Sequence, residues 1–528
     1  MANQSKSKFW MAPAFLSAVA LMFVVLPLVY MFTNMDAASI RAVFSQNSLA
    51  IVVLRSVIAS GLTTVISIVL AYLLAWCMER TAIAGKRLLR ILTVLPMLIP
   101  SVSIGMGAVL LFGNSGILSR LLGLEPGSIY GLKGIVWGSV MYSLPVAFLM
   151  IDNILKYEDS APYEAATVLG MSKWQQFTAI TLPYLRKPMI SVAFSVFTMS
   201  FTDYGVPLMV GGKYKTLPVV MYQEVIGQLN FGKGCVYGSM LLIPAVVAFL
   251  VDLANQNNAN ASYVIRPFQL RRDWKRDVPA QLYSLAAAAF SVVPILAFVV
   301  LAFVKKYPTD MTLTLNNVVR TMQMGGARYL VNSVVIALLA ALAGVTLAVL
   351  AAYITARSSH PLNRFLHLVC MAMAAVPGIV LGLAYVLLFM KTPLYRSPAI
   401  LVVVNVVHFF ASPYLMMYTS FSKINENLEA VAATLNIGRL RLLLNVLLPR
   451  CRRTVAEMFS YFFVNCMMTI SAVSFLANSR TKPIALMINQ FEAQAQMECA
   501  AVVSLAILLI NLAVKLVLEQ RRSPLEVN

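Results

Sequence analysis

"YEAATVLGMSKWQQFTAITLP", residues 163–183, stands between two apolar runs, and the chain returns to the same design at "AVAATLNIGRLRLLLNVLLP", residues 430–449. In the first copy Ser160 is placed to cap a helix whose opening turn holds Pro162 and Glu164, where a fixed φ and a negative charge both suit an N-terminal end. Gly170 then ends that helix by entering the left-handed region, and Ser172 with Gln175 forms an S-x-x-Q capping box for the next. In the second copy Asn436 replaces the glycine, asparagine being the other residue that enters this region cheaply. Leu440, Leu443, Leu444 and Leu447 follow the i, i+3, i+4, i+7 stripe of an amphipathic helix, where the first copy has Trp174, Phe177, Thr178 and Thr181. Each stretch reads as helix, sharp turn, helix, with one face to pack and one to meet a partner.

The rest of the chain is far more apolar. Its 528 residues are 60% hydrophobic and 12% charged, more apolar surface than water-soluble cores can bury, so the class is a polytopic, all-α membrane protein in contact with lipid. The net charge of +21 sits in short loops between apolar runs, with no long basic stripe interleaved by aromatics, which argues against nucleic-acid binding. Cys77, Cys235, Cys370, Cys451, Cys466 and Cys499 form no CxxC or other metal-ligand spacing and read as packing residues. His360, His367 and His408 do not cluster, and we expect neither a bound metal nor a cofactor.

Twelve runs are long enough to cross the hydrocarbon core as helices of about 20 residues. They lie near 11–32, 50–78, 89–112, 134–155, 188–209 and 237–254, then 281–304, 329–356, 365–390, 398–421, 454–478 and 499–519. The first follows Lys6 and Lys8, as a signal peptide would, but is too long for a cleaved apolar region and is expected to stay as an anchor. With both termini on the cytoplasmic side, 26 of the 41 Lys and Arg fall inside, and so do both quoted loops. Lys213, Lys215, Lys305 and Lys306 fall outside and soften the asymmetry.

An internal repeat accounts for the count of twelve. "LIPSVSIGMG" puts Pro100 five residues before Gly105, and "AVPGIVLGLA" puts Pro377 five before Gly382, an offset of 277 both times. Arg55-Ser56 and Asn332-Ser333 keep that offset, while Leu182-Pro183 and Leu448-Pro449 differ by 266. The expected organisation is a six-helix half over 1–253, a cytoplasmic linker over 254–279 and a second half over 280–528, the two halves running in parallel. The sequon Asn260-Ala261-Ser262 lies in that linker and reads as a chance match.

At the quoted loops the chain resembles permease subunits of ATP-binding cassette importers, whose cytoplasmic loop follows an E-A-A, then G, then I-x-L-P pattern. Glu164, Ala165, Ala166, Gly170, Ile180, Leu182 and Pro183 match it. The second copy is a degraded version: Ala430 stands at the glutamate position with Glu429 one residue early, followed by Val431 and Ala432, then Asn436, Val446, Leu448 and Pro449. The resemblance implies two ATPase subunits, each seated on one loop, with Glu164 meeting the ATPase surface and Gly170 setting the angle between the short helices. It also implies an extracytoplasmic solute-binding protein and residence in a bacterial inner membrane. The fused design, "TDYGVP" (202–207) and "MTISAVSFL" (468–476) are similar to permeases of iron(III) and 2-aminoethylphosphonate importers, with polyamine importers farther off.

Asp203, with Tyr204 and Ser471, is the candidate for the translocation pathway, because an ionisable group in a membrane segment is costly unless paired or facing water. Its other reading is a structural charge bonded by Ser200, Thr202 or Tyr204, or one near the interface; Gly205 and Pro207 mark a break or exit of its helix. "GQLNFGKG" places Gly227, Gly232 and Lys233 at Walker A spacing, but Gly234 stands where Ser or Thr must hold magnesium, and no strand precedes it, so it reads as chance. The chain is then a non-catalytic subunit. A self-sufficient, ion-coupled secondary transporter, also commonly six plus six helices, is the alternative, but it calls for paired acids or bases along the path, and few are visible. An intramembrane enzyme would need converging His or carboxylate groups, which the sequence does not offer.

Overall fold

Prolines decide where several of the apolar helices stop. In the computed structural model, which describes residues 13–520 apart from 124, 126, 256–265, 267, 359 and 426, Ile99 is extended and a helix, Ser101–Phe112, starts immediately beyond Pro100. In the second half Val376 is extended before Pro377, and Gly378–Phe389 follows. A proline has no N–H to donate and pushes its predecessor out of the helical region, so the chain must turn there. The turn between Asn363–Ala375 and Gly378–Phe389 is 109°.

The glycine five residues on answers a second demand. A Cβ on Gly105 would lie 2.7 Å from Cβ of Met209, and one on Gly382 would lie 2.7 Å from the carbonyl oxygen of Ala472. The repeated proline-to-glycine spacing thus encodes a bend followed by a close approach to the segment beyond residue 203 in one half and beyond residue 469 in the other.

These breaks change the count of spans. Among the described residues eight helices are long and apolar enough to cross a membrane, and two bent pairs, Asn363–Ala375 with Gly378–Phe389 and Ala399–Phe409 with Ala411–Ser422, raise the number to ten if each pair is one span. The twelve expected from hydropathy are not all reached. The runs at 188–209 and 454–478 are interrupted, their helices Leu182–Thr202 and Arg452–Met468 stopping at Asp203 and Thr469. Helices joined by turns make up the rest, and among the described residues the only strands form one antiparallel hairpin, Val304–Lys306 with Asp310–Leu313. The sequon at Asn260 lies outside the described residues.

Packing follows membrane rules, in which close backbone approach replaces the hydrophobic effect as the organising force. Gly344 in the helix Ala327–Arg357 receives the ring of Phe462, which leaves only 2.5 Å to a would-be Cβ. Leu338, Leu339 and Leu342 of the same helix point outward. All six cysteines are buried and unpaired, as packing residues would be.

The repeat is also visible in how the long helices begin. Ser56 Oγ accepts the backbone N–H of Leu217 at 2.7 Å, and Ser333 Oγ accepts that of Ile484 at 2.7 Å. Beside them, Arg55 donates to the Lys213 carbonyl and lies over the Tyr214 ring, whereas Asn332 donates to the carbonyls of Arg480 and Lys482. Several uncharged groups bridge the halves: Tyr385 Oη donates to Phe23 O at 2.7 Å, Tyr283 Oη to Leu70 O at 2.8 Å and Asn511 Nδ2 to Leu98 O at 3.0 Å, while Ser103 and Ser504 share a hydroxyl pair at 2.8 Å.

Candidate functional site: two helical elbows and the break at Asp203

The first elbow is Ala161–Val168, a turn, and Lys173–Gln176. Asp159 Oδ1 accepts the Ala161 N–H at 3.1 Å and so does the capping expected of Ser160. Ser160 has helical dihedrals and cannot cap; its hydroxyl instead donates to Glu164 Oε1 at 2.8 Å. Glu164 and Ala165 face outward, and Ala166 is buried beneath them. Gly170 turns left-handed at φ +73°, letting its N–H reach Thr167 O and that of Met171 reach Ala166 O, which closes the helix end. The capping box then forms as expected, Gln175 N–H to Ser172 Oγ at 3.3 Å and Ser172 N–H to Gln175 Oε1 at 2.8 Å. Buried Gln176 ties the two short helices together through Met171 O and Thr167 Oγ1.

The second elbow repeats the geometry with other residues. Asn427–Thr434 closes at Asn436, φ +54°, with the Ile437 N–H on Ala432 O at 2.8 Å; Ala432 is buried as Ala166 is. Asn425 Oδ1 accepts from Asn427 N–H at 2.9 Å, in the register of Asp159. No capping box follows, because Gly438 stands in the place of Ser172.

The expected amphipathic stripe does not stay on one face. Leu443 and Leu447 are buried while Leu440 and Leu444 are exposed, because a wide π turn over Leu443–Leu447 shifts the register. The same turn occupies Phe177–Thr181, and in both elbows a proline, Pro183 or Pro449, follows it at the second position of the next helix, after Leu182 or Leu448. A proline there cannot donate into the preceding turn, which leaves a carbonyl to be reached by a wider loop. What does stay outward is a set of large apolar side chains: Leu169 at 78% and Trp174 at 72% exposure in the first elbow, Leu435 and Leu440 both at 65% in the second. Ile180 is half-buried between these surfaces.

Each elbow is gripped by an arginine that motif reading passed over. Arg80 ends the helix Leu49–Arg80; its Nη2 lies 2.5 Å from Glu158 Oε2 and 2.9 Å from Leu155 O. Tyr163 Oη donates to the other Glu158 oxygen at 2.5 Å, and burial, then that carboxylate, pushes the phenol pKa up. Arg357, at the 277 offset, ends Ala327–Arg357 and holds Glu429 at two points, Nε to Oε1 at 2.7 Å and Nη2 to Oε2 at 2.5 Å, with bonds to Ile424 O and Asn425 O. Glu429 is therefore no displaced copy of Glu164. At the loop offset of 266 it occupies the place of Tyr163, and Ala430 that of Glu164. The available signal was Arg80 and Arg357 falling at the repeat offset.

Asp203 lies at the break between Leu182–Thr202 and Gly205–Val210. Ser101 Oγ donates to its Oδ1 at 2.7 Å, and the N–H groups of Gly205 and Val206 reach it at 3.2 and 3.0 Å. Of the partners expected from its own segment, Thr202 bonds Thr198 O and Tyr204 pairs with Ser474 Oγ at 2.8 Å. The Ser474 contact puts Tyr204 on the seam between the halves, and Tyr204 also stacks on Tyr222 of its own half, 4.8 Å between centroids. In the second half Ser471 and His408 close on Gly378, within 2.5 and 2.9 Å of a would-be Cβ. Gly378 stands at the 277 offset from Ser101, so the acid–hydroxyl pair of one half is replaced by an imidazole and a hydroxyl in the other. Lys233 of the Walker-like stretch lies inside a helix, Phe231–Asn255, with its ammonium 3.6 Å from Glu224.

The family described as "Binding-protein-dependent transport system inner membrane component" matches the chain twice, at residues 67–258 and 344–520. The chain belongs to that family. It is an ABC importer permease in the fused two-half form. The ferric transport system permease protein FbpB of Actinobacillus pleuropneumoniae is 26% identical over 515 residues, 91% of this permease and 74% of the relative. The thiamine transport system permease protein ThiP of Salmonella typhimurium is 25% identical over 95% of this permease and 94% of the relative. The molybdenum transport system permease protein ModB of Azotobacter vinelandii is 28% identical over 41% of this permease and 99% of the relative, the length of a single half. These relatives are transport permeases by name, and the permease shares with its family a multi-pass place in an inner membrane.

Proposed function

We propose that this permease forms the path for a small solute delivered by an extracytoplasmic binding protein, and that two ATPase subunits drive it through the two elbows without chemistry in the permease itself. The observation that carries this reading is the pair of elbows: two left-handed corners, each presenting exposed large apolar side chains and each held by an arginine at the end of a long helix. Exposed apolar side chains on a polar loop call for a partner, and the arginines connect whatever presses on that loop to helices about 45 Å long. Glu164 adds a contact for the first ATPase; the second elbow offers Ala430 there and relies on Leu435 and Leu440.

In this proposal both termini and both elbows are cytoplasmic, residues 1–253 and 280–528 are the two halves, and 254–279 joins them. Asp203, Tyr204 and Ser471 lie where the helices break and the halves meet, and would border the path. Ferric iron, carried as a chelate, is the solute we favour over 2-aminoethylphosphonate, supported by the FbpB relative that spans most of the chain.

A photo-crosslinking residue in place of Trp174 or Leu440 tests the coupling. Capture of an ATPase subunit at both positions, with uptake in proteoliposomes that requires internal ATP, is expected. Uptake driven by an ion gradient with no ATPase present would overturn it in favour of a secondary transporter.

A further inference from the structure

The chain that joins the two halves does more than span a gap. Its backbone pairs with the entrance of the first elbow in both directions: the Arg266 N–H donates to Asp159 Oδ1 at 3.1 Å, and the Ser160 N–H donates to Arg266 O at 3.0 Å. Phe268 then lies over the Arg80 guanidinium, 3.6 Å from carbon to ring centroid, and meets Tyr163 edge-on at 5.2 Å. The ring completes a closed group in which Arg80 has Glu158 and Leu155 O on one side and an aromatic face on another, so its charge is satisfied while little of it touches water.

A few residues on, Asp273 Oδ1 caps the helix Trp274–Phe303 by accepting the Lys275 N–H. From that helix Asp277 Oδ1 accepts the Ala82 N–H at 3.2 Å and Gln281 Oε1 the Ala84 N–H at 2.9 Å, both just past Arg80. The second elbow is built otherwise: Arg357 is satisfied by Glu429 and backbone carbonyls, with no ring over it among the described residues.

We propose that Arg266 and Phe268 are positioning residues of the first elbow, a strap that sets its angle and ties that setting to the first helix of the second half through Asp277 and Gln281. Its role in transport rests on the coupling proposed above; its mechanical role does not. The first elbow is thereby controlled by both halves, whereas the contacts described for Arg357 at the second come from its own half.

Hydrogen exchange on the full-length permease in nanodiscs, with no ATPase added, tests the strap. Phe268→Ala should speed exchange across residues 160–170 by about tenfold, as loss of one shielded cation–ring contact allows, and leave residues 427–437 unchanged; Phe268→Tyr should restore protection. Unchanged exchange at 160–170, or equal loosening of both elbows, overturns the proposal. With ATPase subunits bound, Phe268→Ala should lower the ratio of solute-stimulated to basal hydrolysis several-fold while the ATPase retained stays the same, and an unaltered ratio overturns the transport role. If the wild-type permease holds no ATPase, the coupling reading fails while the exchange result still decides the strap.

Discussion

Arg357 and Glu429 form a two-point ion pair in which the guanidinium side chain is only 2% exposed. Its counterpart at the first elbow, Arg80 with Glu158, keeps the arginine and exchanges the acid for one five residues earlier on the loop register. The invariant part of the design is a cation at the end of a long helix; the acid that answers it has moved.

Removing the acid alone strands that cation. Glu429→Ala should destabilise the second half by about 3 kcal/mol, since breaking a buried pair leaves an uncompensated charge. Replacing both partners with apolar residues should cost less. Thermal unfolding in detergent of the single and double variants measures the difference.

Glu164 should behave in the opposite way. It is exposed and, among the described residues, its carboxylate is bonded to the Ser160 hydroxyl alone, so Glu164→Ala should shift stability by no more than about 0.5 kcal/mol. Under the proposed coupling, ATP-driven uptake should nevertheless fall several-fold. A melting curve beside an uptake assay separates the two.

The corner residues make a matched pair. Gly170→Ala meets no neighbour within 4 Å, so its cost is backbone strain alone at φ +73°, about 1 kcal/mol. Asn436→Gly relieves the milder strain at φ +54° and should be neutral or slightly stabilising. Exchange rates of the amides following each corner report both changes.

The hairpin carries a pH-dependent contact. Asp310 accepts from Thr312 and pairs with Lys305 at 3.1 Å, which holds its carboxyl at about 2 against an ordinary 3.8. A depressed folded pKa means the contribution is complete above 3.8 and lost as pH falls toward about 2. The protection factors of amides over 304–313, each rate divided by its intrinsic rate at that pH, should stay flat down to pH 4 and fall below it, and Asp310→Asn should abolish that fall.

Much of the elbow geometry was legible because it is local. The left-handed corners, the capping box and the shared Leu-Pro ending are each set by residues within a few positions of one another. Partnerships across long separations were not legible in this way. Asp203 finds Ser101, 102 residues upstream, although it had nearer candidates, and Glu429 finds Arg357, 72 upstream. Hydropathy located the apolar runs but averaged over the places where the backbone stops at Asp203, Thr469 and Pro377, which only the structure reveals.

The seam through Tyr204, Ser474, Ser103 and Ser504 has a mechanical consequence. A hydroxyl gives and takes a hydrogen bond with equal ease, so one such pair can separate and find new mates after a small slide without leaving a bare ion in hydrocarbon. Fastened like a zip rather than a weld, such a seam can part and rejoin, as the proposed transport cycle requires of it.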